Sequence, residues 1–233
     1  MRLLSVNVSL PRTIGQGKKA VTTGIFKEPV TGRRWVRARN VEGDAQADLE
    51  NHGGKFKAVY AYPFEHYAEW AKALDRDDFS YGQFGENCTV EGLLEEGVRI
   101  GDRFRIGTAL VEVTQPRVPC FKLAMKMGLE DFPKRFLASG HTGFYLRVIE
   151  EGTIAAGDAI LCVKSAPESL AVREVNRLMF QVKADLEGAK RALKIEALSP
   201  GWRMAFEKRL VEAGAPISSL PAWNREEAAA AGL

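Results

Sequence analysis

The chain opens on "RLLSVNVSL", where apolar and polar side chains alternate as they do on a half-buried strand. "KAVYAY", Lys57 to Tyr62, is a second short apolar run, entered from the turn "NHGGK", and it predicts another strand. In "PFEHYAEWAKAL" the period changes. Phe64, Tyr67, Ala68, Ala71 and Leu74 fall on one helical stripe, with Pro63 expected at the first helical position. "VRIGDRFRIGTALVEVTQ" returns to alternation, with Phe104 and Ile106 between arginines, a Gly107-Thr108 turn, and Val111 and Val113 on the returning strand. That pattern predicts a hairpin with one wet face. "TGFYLRVIE" and "AILCVK" also read as strands. A weak echo links "EEGVRIGDRFRI", Glu95 to Ile106, with "EEGTIAAGDAIL", Glu150 to Leu161. Each is a turn with Gly-Asp leading into a strand, the kind of corner that short-stranded barrels use.

After "KSAPESL" the texture turns helical. "LAVREVNRLMF", "DLEGAKRALKI" and "SPGWRMAFEKRLVEAG" carry helical spacing, with Asp185 and Ser199 placed as N-caps, Pro200 in a first turn and Gly214 as a stop. The expected fold is therefore mainly β, a barrel-like domain over residues 1–165 with inserted helices. An all-α three-helix unit and tail, residues 166–233, follow outside the main core. The last stretch, "REEAAAAGL", is small and polar enough to fray. A three-helix unit could be a helix-turn-helix, but this one is only mildly basic, so a structural or partner-docking appendage is favoured over nucleic-acid binding.

Composition changes this picture little. The chain has 233 residues, 45% hydrophobic and 27% charged, an ordinary globular balance. No leader with a long apolar core and no membrane-length run is present, so a cytoplasmic location is expected. The net charge of +3 hides a basic N-terminal segment. Arg2, Arg12, Lys18, Lys19, Lys27, Arg33, Arg34, Arg37 and Arg39 face Glu28 alone. Such an excess would attract an anion such as phosphate, and it would equally serve as a solvated basic edge.

The chemistry is sparse. No P-loop, nucleophile elbow or zincin motif occurs, and His52, His66 and His141 are too scattered to suggest a zinc site by spacing. Cys88, Cys120 and Cys162 form no C-x-x-C pair and read as reduced thiols. Cys162, within "AILCV", and Cys88 read as packing residues. Cys120 is different. In "TQPRVPCFKLAMKMG", Pro116 and Pro119 fix two φ angles and remove two donors, so the loop projects rigidly from the end of a strand. Cys120 then enters a short helix near Arg117 and Lys122, surroundings that favour thiolate. A thiolate there is a nucleophile or a soft-metal ligand; the alternative is a small cysteine filling a barrel corner.

Here the residues carry a resemblance. "EGDAQADLENHGGKFKAVYAY", "YGQFGENCTVEGL", "VRIGDRFRIGTALVEVTQPRVPCFKL" and "TGFYLRVIEEG" resemble, in order, the successive blocks of the MOSC domain, and the helical tail resembles the appendage of that family's YiiM-type branch. The resemblance implies a molybdenum cofactor, a metal on a pterin dithiolene, with Cys120 as a protein ligand to molybdenum. It further implies that Asp48, His52 and Asn87 lie near the same groove, although each could equally close or cap a local turn. The pterin ends in a phosphate, for which Lys57 and Arg117 are the natural counter-charges. Arg33 and Arg34 are candidates on charge density alone.

The implied reaction is reduction of an N-hydroxylated substrate, such as a hydroxylamino nucleobase, to the amine and water. The sequence has no dinucleotide fingerprint or cluster-type cysteine array, so the electrons would come from a separate reductase. A homodimer is left open. Two rival readings use the same features: Cys120 as a persulfide carrier in cofactor assembly, or a non-catalytic module whose helices bind nucleic acid or a partner.

Overall fold

The chain begins with β1 (Arg2–Val8), followed by β2 (Arg12–Ile14), β3 (Val21–Thr23), β4 (Glu28–Pro29) and β5 (Arg34–Val36). Next come β6 (Val59–Pro63), α1 (Glu65–Leu74), β7 (Cys88–Glu91), β8 (Arg103–Ile106) and β9 (Ala109–Pro116). Two short helices, α2 (Phe121–Met127) and α3 (Phe132–Ser139), precede β10 (Phe144–Glu150), β11 (Gly152–Ile154) and β12 (Ile160–Lys164). The chain then ends its described part with α4 (Val172–Phe180), α5 (Leu186–Leu193) and α6 (Pro200–Glu212). The structure is a computed structural model and describes residues 1–17, 20–48 and 53–216. "REEAAAAGL" lies outside them.

Eight strands form one sheet in the order β12-β8-β9-β10-β6-β7-β1-β4. Neighbours pair antiparallel except β6 and β7, which run parallel because α1 crosses between them. The sheet is not a closed ladder, but it curls towards one. Leu3 N donates to Asp158 O at 2.9 Å, and Ile160 N donates to Met1 O at 3.0 Å, so β1 meets the turn that enters β12. "Barrel-like" therefore describes the curvature rather than complete pairing.

The sequence echo corresponds to a repeated corner. In both copies the Gly-Asp pair sits in a turn, with Gly101 and Gly157 both at φ +93°, a conformation that suits glycine. Asp102 accepts a hydrogen bond from Arg99 N, and Asp158 from Ala155 N, each at 2.8 Å. The strands that leave the two corners, β8 and β12, are then paired with each other.

Three local expectations change. Pro63 closes β6 instead of opening α1, because Phe64 N extends the ladder to Val90 O and the helix starts at Glu65. The wet face of the hairpin is confined to β8; all eight residues of β9 are buried. Its one carboxylate there, Glu112, is held by Arg103 Nε at 2.6 Å and Arg147 Nε at 2.8 Å, which makes its burial tolerable. Cys162 is exposed, between exposed Leu161 and Val163, because β12 is the edge of the sheet.

The helical unit does not stand outside the core. Val172, Val175, Leu178, Leu193, Trp202 and Phe206 belong to the same buried cluster as Leu3, Phe104 and Val113 of the sheet. The composition break signals a change of secondary structure and not a break in packing. Asp185 caps α5, accepting from Gly188 N at 2.7 Å. Ser199 stands at the cap position of α6 but makes no cap bond. A second, aromatic cluster packs α1, α2 and α3 together through Tyr62, Trp70, Phe84, Leu123, Phe132 and Phe136.

Candidate active site

Cys120 ends the proline loop that leaves β9. Its backbone is extended, at φ −123° and ψ 174°, and its carbonyl accepts from Leu123 N at 2.9 Å to start α2. Leu123 and Met127 anchor that helix in the aromatic cluster, with 0% and 3% exposure. The thiol is thus carried on a fixed base, yet it remains partly exposed. Cys88 is its opposite: completely buried on β7, with a thiol pushed up to about 12 by burial and by the nearby Glu86 carboxylate. Such a thiol is inert.

Beside Cys120 lies a buried guanidinium. Arg117 is 5% exposed and sits between the rings of Tyr60 and Phe136, 5.2 and 5.7 Å from their centroids. Its Nη1 is buried and has no hydrogen-bond partner. Burial works against its charge, but Tyr60, Tyr145 and Cys120 offset this, and its pKa stands above the ordinary arginine value. The backbone here is set by the loop before β10. Arg117 N donates to Gly143 O at 3.2 Å, and Tyr60 Oη donates to Thr142 O at 2.8 Å. Gly143 has φ +66°, and a side chain there would come within 2.4 Å of Ala61 O, so only glycine fits.

The floor continues through an interlocked polar set. Lys27 donates to Asp44, Asn87 Nδ2 donates to the other oxygen of Asp44 at 2.9 Å, and Asn87 Oδ1 accepts from Tyr60 N at 3.1 Å. Burial lowers the pKa of Lys27, with Asp44 opposing. Lys57 is lowered in the same way, with Asp48 opposing.

These residues line a groove with two lobes. The narrow, polar lobe contains Lys27, Asp44, Asn87, Arg117 and Lys122. The wider lobe, about 620 Å³, is walled by Phe56, Phe121, Met179, Phe180 and Trp202 and lies between the sheet and the helical unit. Cys120, Asp48, Lys57 and Tyr145 line both. Cys120 therefore stands where the lobes join. In the wider lobe, Gln115 Oε1 and Ser199 Oγ are buried without hydrogen-bond partners. Buried polar atoms without partners are uncommon, and these two stand in the lining of the same cleft.

Of the residues singled out in the sequence, the structure brings together Cys120, Asp48, Lys57, Asn87 and Arg117. His52 lies outside the described residues. Arg33 and Arg34 are elsewhere: Arg33 pairs with Asp158 at 2.9 Å, Arg34 donates to Thr31 O at 3.4 Å, and neither lines the groove. The basic segment is dispersed by the fold, and of its residues within the described part only Lys27 reaches the groove. Sequence reasoning placed Lys27 in the basic segment and Ser199 at a helix cap without assigning either to the groove, and it missed Asp44, Tyr60, Tyr145, Gln115 and Trp202. Only alternation hinted at any of them, through the two tyrosines in "KAVYAY" and "TGFYLRV".

Residues 48–161 match the MOSC domain, and residues 171–212 match the YiiM-like three-helix domain. The protein YiiM of Escherichia coli is 33% identical over 205 residues, 87% of this chain and 91% of its own. The chain belongs to the MOSC family. Within the family its architecture is that of the YiiM-type branch. The crystal structure of YiiM from Geobacillus stearothermophilus, 37% identical, superposes with a TM-score of 0.77 over 90% of this chain and 98% of the other. A protein of Gibberella moniliformis named "Reductase" is 33% identical over 162 residues, 68% of this chain but only 29% of that longer protein. Among the described residues of this MOSC protein, no helix is long and apolar enough to cross a membrane.

Proposed function

We propose that this protein is a molybdenum-cofactor-dependent reductase of N-hydroxylated compounds, with Cys120 as the metal's protein ligand. The observation that carries the reading is the position of Cys120 between a cationic lobe and an apolar one. A relative named "Reductase" agrees with an oxidoreductase role.

The groove fits the cofactor on its own chemistry. Cys120 offers a soft sulfur donor on a rigid loop, suited to molybdenum. The unpartnered Nη1 of Arg117 fits an anionic oxygen, and Lys57 and Lys122 add positive charge for a phosphate. Asp48 would orient the pterin from the floor, and Asn87, whose amide is taken up by Asp44 and Tyr60 N, would hold that floor in place. When bound, the group supplies two-electron redox chemistry: R-NH-OH + 2 H⁺ + 2 e⁻ gives R-NH₂ + H₂O. The electrons come from a separate reductase.

The chain's own share is to hold and orient. Phe56, Phe180 and Trp202 would flank a flat heterocycle such as a hydroxylamino nucleobase and keep water from its faces. Gln115 Oε1 would accept a ring or exocyclic N–H, and Ser199 Oγ can donate or accept at the same cleft. Substrate would thereby meet the Cys120 side of the groove edge-on.

Protein isolated from a host that makes the cofactor should carry molybdenum and pterin near one per chain and reduce an N-hydroxylated base with a chemical electron donor. Cys120→Ser should lose the metal or the activity, while Cys88→Ser and Cys162→Ser keep both. Full activity in purified Cys120→Ser would refute the assignment. Sulfane sulfur without metal on the wild-type chain would favour the persulfide carrier instead.

A further inference from the structure

Two of the histidines that look scattered in the sequence are stacked in the fold, away from the groove. His66, the second residue of α1, lies face to face with His141 from the loop before β10, with ring centroids 3.9 Å apart and planes 4° off parallel. His66 is 3% exposed, and its Nε2 is 2.7 Å from Glu95 Oε2. Glu95 is fully buried, and its other oxygen accepts from Gly143 N at 2.7 Å. A carboxylate can only accept, so His66 donates from Nε2, and this fixes the ring. Its Nδ1 is buried and has no hydrogen-bond partner. That atom faces Glu69, one turn along the same helix, whose Oε2 is 3.7 Å from His66 Nδ1 and 2.8 Å from His141 Nδ1.

We propose that His66, Glu69 and His141 form a site for a divalent transition-metal ion of the zinc type, with Glu95 holding His66 from behind and a fourth position open to solvent. Two imidazole nitrogens and one carboxylate oxygen make a common zinc donor set, and three protein ligands leave room for water. Carboxylate support behind a ligating histidine is the usual second layer of such sites, and here it is supplied by a buried residue that also fixes the loop before β10 through Gly143 N. The three donor atoms lie within 4.8 Å of one another. Glu69 Oε2 is within 3.7 Å of both Nδ1 atoms, close enough for one ion to draw on all three donors.

Binding asks little of the protein. His66 and Glu95 stay fixed, while Glu69, with a 59% exposed side chain, withdraws to ligand distance. His141, 20% exposed on a loop, tilts so that its lone pair converges with that of His66. The ion would tie α1 to residues 141–143. The carbonyls of that loop accept from Tyr62, Tyr60 and Arg117, so the site braces the wall of the groove without touching it. The proposal does not depend on the molybdenum reading.

The test is titration of the untagged full chain with ZnCl₂ against a chromophoric chelator, and with Co²⁺ followed by absorption. Wild type should take up one equivalent, show cobalt ligand-field bands without a thiolate charge-transfer band, and melt several degrees higher with zinc but not with magnesium. His141→Ala and Glu69→Gln, both at partly exposed positions and checked for folding by their metal-free melting curves, should each bind at least tenfold more weakly. Cys120→Ser should bind as wild type does. No uptake by wild type, equal affinity in the His141 and Glu69 variants, or loss of uptake in Cys120→Ser would each overturn the site.

Discussion

At Arg117 use and stability oppose each other. A guanidinium buried among aromatic rings with one nitrogen left unpartnered is costly, and replacing buried charge by an apolar side chain of similar length is often neutral or stabilising. Arg117→Met should therefore melt at or above the wild-type temperature while its pterin content falls at least tenfold; parallel melting curves and pterin assays check both. Lys126 gives a second case. Burial lowers its pKa to about 8, and it donates to the carbonyls of Ile25 and Gly82. The unfolded chain then binds the extra proton between about pH 8 and the ordinary lysine value, so this group adds stability as pH rises through that window and withholds it below. Between pH 7 and 9.5, wild type should gain about 2 kcal/mol relative to Lys126→Met in denaturant unfolding. An equal pH response in the two proteins would count against it. Cys120 could be read from its prolines and its charged neighbours, because those cues are local. Asp44 and Tyr145 could not: each gains its meaning from residues distant in sequence, as Asp44 does from Asn87.

The helices of the C-terminal unit show how far local cues reach. Asp185 and Ser199 look alike as caps, yet only Asp185 makes the bond. Asp185→Ala should cost about 1 kcal/mol, the usual loss for a cap. Ser199→Ala should cost less in stability and, on the proposed function, appear instead as a raised KM for an N-hydroxylated base, since its hydroxyl is left unpaired in the wider lobe. Denaturation curves and steady-state kinetics on both variants separate the two roles. Strand identities were legible because alternation survives wherever one face is wet. The dry second face of β9 was not, because what covers it lies far along the chain: α4 and the Ser199 N that bonds to Thr114 O. The same holds for His66 and His141, which spacing alone could not unite.

The joint core makes the chain one folding body. Truncation after about Ala166 would uncover the sheet residues now packed against Val175, Leu178 and Phe206, so residues 1–166 should be poorly soluble and lack a sharp thermal transition, whereas the full chain should unfold in one step. A soluble, cooperatively melting truncation would show the sheet to be self-sufficient. The overall plan, strands followed by helices, was plain from the change of texture after "KSAPESL". The merging of their cores was not, since periodicity marks an apolar face without naming what it meets. The groove inherits this arrangement. Its thiol and its charges come from the sheet, its loops and the start of α2, while Met179, Phe180, Ser199 and Trp202 come from a stretch of sequence that holds neither the proposed metal ligand nor the phosphate counter-charges. Among relatives, what is accepted could diverge through residues 171–212 while the reaction stays the same, so grafting that stretch from a relative of different preference is the direct route to altering selectivity.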